Sequence, residues 1–351
     1  MANRSADIPL LPSAGVIRRG VQAFIVFSCL GTLLGIWWKR PSGMGELLSQ
    51  LQWPFIGLLL PLIALDFWLG GLRYRLFFDG KTMPFVSIWD CMRSNWANMF
   101  MGAATPFQTG GAPAQIYVLW RCGVPVADSL LISTVNLVAT LTFFLLSSLL
   151  ALFWLPADLF GENFAPIFRV GFSVVTAIVS ILLLFLSFPT VAHKALSALF
   201  RVLPGKSQSS RDKRTRILDR VHSELLRVRQ GFRSILRHNK TGIFLTIIVT
   251  HVLFFNKYLM GYVVARAMGQ EVPFEIFIGL QVIQLLLIYF APTPGASGIA
   301  ELSSVWLMGK LMPESTLLIY ALLWRLTSTI LGAIFGSVVL LYEFRDQSKD
   351  K

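Results

Sequence analysis

Long apolar runs separated by short polar connections fill most of this chain. A helix that crosses a bilayer needs about 20 predominantly apolar residues, and the runs predict spans at roughly 20–38, 53–78, 127–155, 166–188, 241–267, 273–291 and 315–343. The stretch at 84–103, "PFVSIWDCMRSNWANMF" onward, has a helical rhythm but is too polar to face lipid. Such a helix must be buried among others or line a cavity. The predicted fold is all-α: a polytopic membrane protein with about seven spanning helices, forming a single membrane domain over 1–351.

Two places break this pattern in the same way. "GAATPFQTGGAPAQIYVLW" (102–120) and "APTPGASGIAE" (291–301) each interrupt membrane-embedded chain. Each holds Thr-Pro (Thr105-Pro106, Thr293-Pro294), then Thr/Ser-Gly (Thr109-Gly110, Ser297-Gly298), then a short helix with a polar residue near its start (Gln115, Glu301). Each short helix leads into a long apolar span. Proline stops a helix because it lacks an N–H and clashes with the preceding turn, and glycine allows a tight turn. The expectation is two broken-helix hairpins, one in a repeat at 84–155 and one in a repeat at 273–343. The exposed helix N-termini of such hairpins attract anions.

Charge placement sets the orientation. The net charge is +13. Residues 201–240 hold twelve Lys/Arg against three acids, a local net charge of +9, which places this loop in the cytoplasm. Arg73, Arg75 and Lys81 mark a second cytoplasmic loop, with Arg73 read as a topology anchor. The two repeats then run in opposite directions and the hairpins are re-entrant, as in many secondary transporters. Within 201–240, Leu218, Val221, Leu225, Val228, Phe232 and Ile235 form one apolar seam of an amphipathic helix, suited to the anionic inner leaflet. Topology alone accounts for the charge, so no nucleic-acid partner is expected. Arg18-Arg19 precede the first apolar run, which lacks a clear cleavage site and reads as a retained span, not a removed leader.

Composition excludes several function classes. The chain is 55% hydrophobic and 14% charged, well under the roughly 25% charged residues of soluble domains. Cys29, Cys91 and Cys122, and His193, His222, His238 and His251, show no metal spacing. No phosphate-binding loop or nucleophile elbow occurs. No cofactor, metal or catalytic group is therefore expected, and any transport would draw on a gradient, a partner or downhill movement. Ionisable groups at membrane depth are costly and mark functional positions. Glu301 and Arg325 are read as a pair or as one side of a site, with Arg93, Asn95 and Asn98 facing the same cavity. Asp66 and Lys257 are further candidates.

On "TPFQTGGAPAQIY" (105–117), "PTPGASGIAE" (292–301) and Arg325, the chain resembles the lysylphosphatidylglycerol synthase transmembrane region, also called the flippase-like or UPF0104 family. The resemblance covers about 16–345. It implies a helical membrane domain with re-entrant hairpins that moves a lipid, or a lipid-linked group, between leaflets. By motif position it carries over to Thr105, Pro106, Gly110, Gly111 and Gln115, to Pro292, Pro294, Gly295, Gly298 and Glu301, and to Arg325. Ala296-Ser297 depart from the further glycine of many members, which leaves the loop shape open. The soluble aminoacyl-transferase domain of two-domain relatives is not expected here, so lipid lysylation is not implied, and the substrate does not transfer.

The expected function is a lipid transporter of the inner (plasma) membrane. Its polar site comprises Arg93, Asn95, Asn98, Thr105, Pro106, Thr109, Gly110, Gly111, Gln115, Pro292, Thr293, Pro294, Gly295, Ser297, Gly298, Glu301 and Arg325. Membrane lipids with an anionic or phosphate-bearing headgroup are the expected partners. Hairpin N–H groups with Arg325 or Arg93 would hold the phosphate, while Glu301 balances Arg325, holds a cationic group or takes up a proton. The alternative is a non-transporting scaffold of a lipid- or glycan-modifying enzyme, with the 201–240 helix as its docking surface. A membrane-embedded enzyme lacks a metal cluster or a nucleophile–base pair to support it. Self-association stays open: Gly332 and Gly336 allow close helix packing without naming the partner helix.

Overall fold

The computed structural model describes residues 51–80, 83–155 and 239–347, with scattered positions between 166 and 235. The predicted span at 20–38 lies outside the described residues, and so do most of 166–188 and of the basic segment 201–240. Among the described residues every regular element is helical.

Helix α1 (Trp53–Arg75) is followed by α2 (Ile88–Ala104), a 3-10 turn (Pro106–Gln108), α3 (Gly111–Arg121) and α4 (Val126–Trp154). After the basic segment come α5 (Lys240–Ala267), α6 (Phe274–Tyr289), a second 3-10 turn (Pro294–Ala296) and α7 (Ile299–Met308). The chain then continues through α8 (Glu314–Arg325), a π-helical segment (Leu326–Ile330) and α9 (Leu331–Gln347). The order of helix, 3-10 turn, short helix and long helix occurs twice, in 88–154 and again in 274–347. The packing is reciprocal. The first broken helix, α2, lies along α9, the second, α6, lies along α4, and α1 pairs with α5.

Among the described residues, four helices are long and apolar enough to cross a membrane: Trp53–Arg75, Val126–Ala151, Lys240–Ala267 and the continuous run Glu314–Glu343. The predicted span at 273–291 contains a helix of only 16 residues. At 1.5 Å per residue this reaches about 24 Å, short of a hydrocarbon core of roughly 30 Å.

The polar helix α2 is buried as its composition requires, and glycine achieves it from two sides. A Cβ on Gly336 of α9 would sit 2.0 Å from the carbonyl oxygen of Trp96, and one on Gly332 would sit 2.2 Å from Met99. On the other side, a Cβ on Gly71 of α1 would fall 2.5 Å from Met92. Apolar burial gives little drive between helices in lipid, so close backbone approach at small residues supplies the packing. The partner of the Gly332/Gly336 seam is thus α2 of the same chain. In the second half, Gln281, Gln284, Ser304 and Tyr320 are fully buried. Gln281 donates to Gln284 (3.0 Å) and to the Tyr320 hydroxyl, and Gln284 donates to Ser304 (2.5 Å), which ties α6, α7 and α8 together. Of the predicted amphipathic seam only Ile235 is described. It is buried in a cluster with Tyr74, Phe77 and Leu131, so it packs on protein and not on lipid.

Candidate functional site

The two breaks meet. Phe107 N–H donates to the carbonyl of Ala291 at 3.3 Å, which joins the first turn to the approach of the second. The break backbones are also alike. Phe107 and Gln108 have φ of 52° and 55°, and Gly295 and Ala296 have φ of 61° and 55°. Non-glycine residues avoid this region, and strained backbone of this kind collects at functional sites. Ala296 therefore takes, at a steric cost, a conformation that glycine adopts freely.

Each hairpin is closed by its own polar groups. In the first, Thr105 Oγ1 accepts from Gly110 N–H (2.8 Å) and donates to the Met101 carbonyl (2.7 Å). Gln115 Oε1 accepts from Asn98 (2.7 Å) and from the Tyr74 hydroxyl (2.9 Å), while its amide donates to Ser133 (2.9 Å). In the second, Glu301 Oε2 accepts from Gly298 N–H at 2.7 Å. Its Oε1 pairs with Arg325, and Arg325 Nη2 donates to the Gly295 carbonyl at 2.7 Å. The predicted Glu301–Arg325 pair therefore forms, and both carboxylate oxygens are committed. The anion held at the start of α7 is the chain's own carboxylate.

Beside the breaks lies a cavity of about 540 Å³. Among the predicted site residues, Asn95, Asn98, Thr109, Gln115, Thr293, Gly295 and Arg325 line it. Thr105, Pro106, Gly110, Gly111, Pro292, Pro294, Ser297, Gly298 and Glu301 do not line it; they build the hairpins that shape it. Arg93 is not brought to the cavity. It bonds Asp90 at 2.8 Å and pairs with Glu343, which also holds Arg121 at 3.2 Å. This charge cluster fastens α2 and α3 to α9. Gln115 and Glu301 are not equivalents either. Counted from the cap glycines Gly110 and Gly298, Glu301 is third and Gln115 fifth, so the likeness of the breaks ends at the glycines.

Sequence reasoning missed one wall. Arg73 is no topology anchor at the surface; it is 8% exposed and lines the cavity. Its Nε donates to Asn136 Oδ1 (3.2 Å), and Nη2 donates to the Asn136 carbonyl (2.7 Å) and to Thr140 Oγ1 (2.9 Å). Asp66 and Lys257, the further candidates read from the sequence, line the cavity and form an ion pair at 2.8 Å between α1 and α5. Ser129, Ser133, Asn136 and Thr140 recur every three or four residues along α4. That polar stripe in an otherwise apolar span was the signal available in the sequence. No group of His, Cys, Asp or Glu that could hold a metal occurs among the described residues.

With this geometry in place, comparison with known proteins fixes the family. The family model for the lysylphosphatidylglycerol synthase TM region matches residues 23–336. The chain belongs to that family. It is also 26% identical over 289 residues to a UPF0104 membrane protein of Archaeoglobus fulgidus, an alignment covering 80% of this chain and 84% of that protein. No solved structure matches it. It is a multi-pass, all-α membrane protein of a family defined by a lipid-synthase membrane region.

Proposed function

We propose that this member of the family is a carrier that moves a phospholipid, or a lipid-linked headgroup, between the leaflets of the inner membrane. The observation behind this reading is a polar, charge-lined cavity set between two broken helices and walled by apolar membrane helices. A headgroup entering it exchanges water for amides, hydroxyls and guanidinium groups while its tails stay in lipid. This lowers the main barrier to crossing, the burial of a polar group in hydrocarbon. Hairpins entering from opposite faces would give the two leaflets equivalent routes to the site. The carrier reading assigns no catalytic step to the chain, and it places the basic 201–240 segment in the cytoplasm.

The test is movement of a fluorescent phospholipid in vesicles reconstituted with the purified full chain, followed by chemical quenching of the outer leaflet. We expect faster quenching of the inner pool than in protein-free vesicles, and loss of that gain in Thr134→Trp, which fills the cavity from α4. Quenching no faster than in protein-free vesicles, or a rate indifferent to the plug, would overturn the reading.

A further inference from the structure

Three cations line the cavity, and two carboxylates, Asp66 in its wall and Glu301 behind it, pair with two of them. Lys257 is paired with Asp66, and Arg325 with Glu301 and the Gly295 carbonyl. Among the described residues, Arg73 makes hydrogen bonds to neutral groups only. Those partners take Nε and Nη2, and its Nη1 carries no hydrogen bond among the described residues. A guanidinium presents five N–H donors in a fixed fork, so two remain for a ligand.

Asn136 supplies a third donor. Its Oδ1 accepts from Arg73 Nε, which fixes the amide orientation and turns Nδ2 away. That Nδ2 is buried without an acceptor among the described residues, and it belongs to a residue, 2% exposed, that lines the cavity. A buried arginine hydrogen-bonded only to neutral groups, whose nearest carboxylate, Asp66, is already held by Lys257, beside an amide donor with no acceptor, calls for an acceptor that carries charge. The site as a whole has an excess of one positive charge, so one negative charge balances it.

We propose that Arg73, braced by Asn136 and Thr140, is the anion receptor of the cavity, and that it takes a singly charged phosphodiester. A phosphodiester offers two unesterified oxygens that share one negative charge, and the free N–H donors of Arg73 Nη1 and Asn136 Nδ2 are donors for them. Arg325 and Arg93 are excluded from this role because carboxylates already hold them. That the phosphodiester belongs to a lipid rests on the carrier reading.

The experiment is native mass spectrometry of the purified full chain after equilibration with phosphatidylglycerol and phosphatidylcholine in equal amounts. These share tails and differ by one net charge. We expect wild type to retain phosphatidylglycerol in preference by about tenfold, the scale of one hydrogen bond to a charged group. Arg73→Gln should abolish the preference. Asn136→Asp should abolish it with Arg73 still in place, by giving the guanidinium a carboxylate of its own. With phosphatidic acid added to the mixture, Asp66→Asn should act in the opposite direction, raising retention of this doubly charged lipid, because it leaves a second excess cation.

A folded Arg73→Gln protein that keeps the wild-type preference overturns the proposal. Should Arg73→Gln not fold, an unaltered preference in Asn136→Asp overturns it equally. A structural role alone would not produce opposite changes from Asn136→Asp and Asp66→Asn. Adding inorganic phosphate separates the sources. If it leaves the lipid bound, the lipid source stands. If it displaces the lipid and binds in an Arg73-dependent way, the receptor stands and the carrier reading falls.

Discussion

At the first break Phe107 and Gln108 sit at φ of 52° and 55°, and at the second Gly295 and Ala296 sit at 61° and 55°. Around this common backbone the chemistry differs. The first hairpin is held by neutral hydrogen bonds centred on Gln115, the second by an ion pair between the buried Arg325 and the part-buried Glu301. Even the shared cap glycine has two different reasons. Gly110 has φ −78°, and its Cβ would meet Thr105 at 2.8 Å and the Met101 carbonyl at 3.0 Å. Gly298 has open space around it but φ +84°. The first glycine is required by packing and the second by backbone conformation, so the same letter in the same motif does not imply the same constraint.

The strongest way to test this contrast is to break each hairpin's hub. Arg325→Ala leaves the part-buried Glu301 without its partner and should cost about 3 kcal/mol, the low end for a broken buried pair, while Glu301→Gln with Arg325→Met together should recover most of it. Thermal unfolding in detergent, run on the single and double variants, checks the pair. If the double variant is as unstable as the single, the pair is not the hub.

Gln115→Ala removes the shared partner of Asn98, Tyr74 and Ser133. Its expected cost is smaller, about 1–3 kcal/mol, because the groups left unpaired are neutral. The same unfolding series measures it, and a loss equal to that of Arg325→Ala would erase the distinction between the hairpins.

The glycines separate by their response to volume. Gly110→Ala should cost about 1–3 kcal/mol by overpacking, and Gly110→Val more. Gly298→Ala should cost a similar 1–3 kcal/mol from strain at positive φ, and Gly298→Ser little beyond that. Unfolding midpoints that fall with side-chain size at 298 but not at 110 would reverse the assignment. The smallest effect is expected at Phe107, which is 60% exposed. Phe107→Gly relieves its positive φ but adds freedom to the unfolded chain, so stability should shift by under about 1 kcal/mol. A larger loss would show that the ring itself holds the turn.

The sequence carried the breaks clearly, because Pro and Gly act locally and their effect needs no knowledge of neighbours. It also carried the Glu301–Arg325 pair, since two opposite charges at depth have few alternatives. Arg73 was misread for a physical reason. A basic residue in the last turn of a span looks the same whether it reaches for water or turns inward, and only the facing amide and hydroxyl of Asn136 and Thr140 decide which. Arg93 failed in the reverse sense: a polar helix near the site suggested the cavity, but Glu343, some 250 positions away, claims its guanidinium. Contacts of such long sequence separation leave no local trace.

The π-helical turn at Leu326–Ile330 works as a phase shifter in the last span. One residue of a regular helix corresponds to roughly 100° of rotation, and a wide turn absorbs about one extra residue. Upstream of it Arg325 is aimed at the second hairpin, and downstream Glu343 is aimed at the first. Winding the same residues evenly would swing everything beyond the turn by about a quarter turn, carrying Glu343 away from Arg93 and Arg121 while Arg325 keeps its aim, whereas deleting Thr329 would give a regular helix that keeps both aims. One rod thus serves two clients because its thread is offset in the middle.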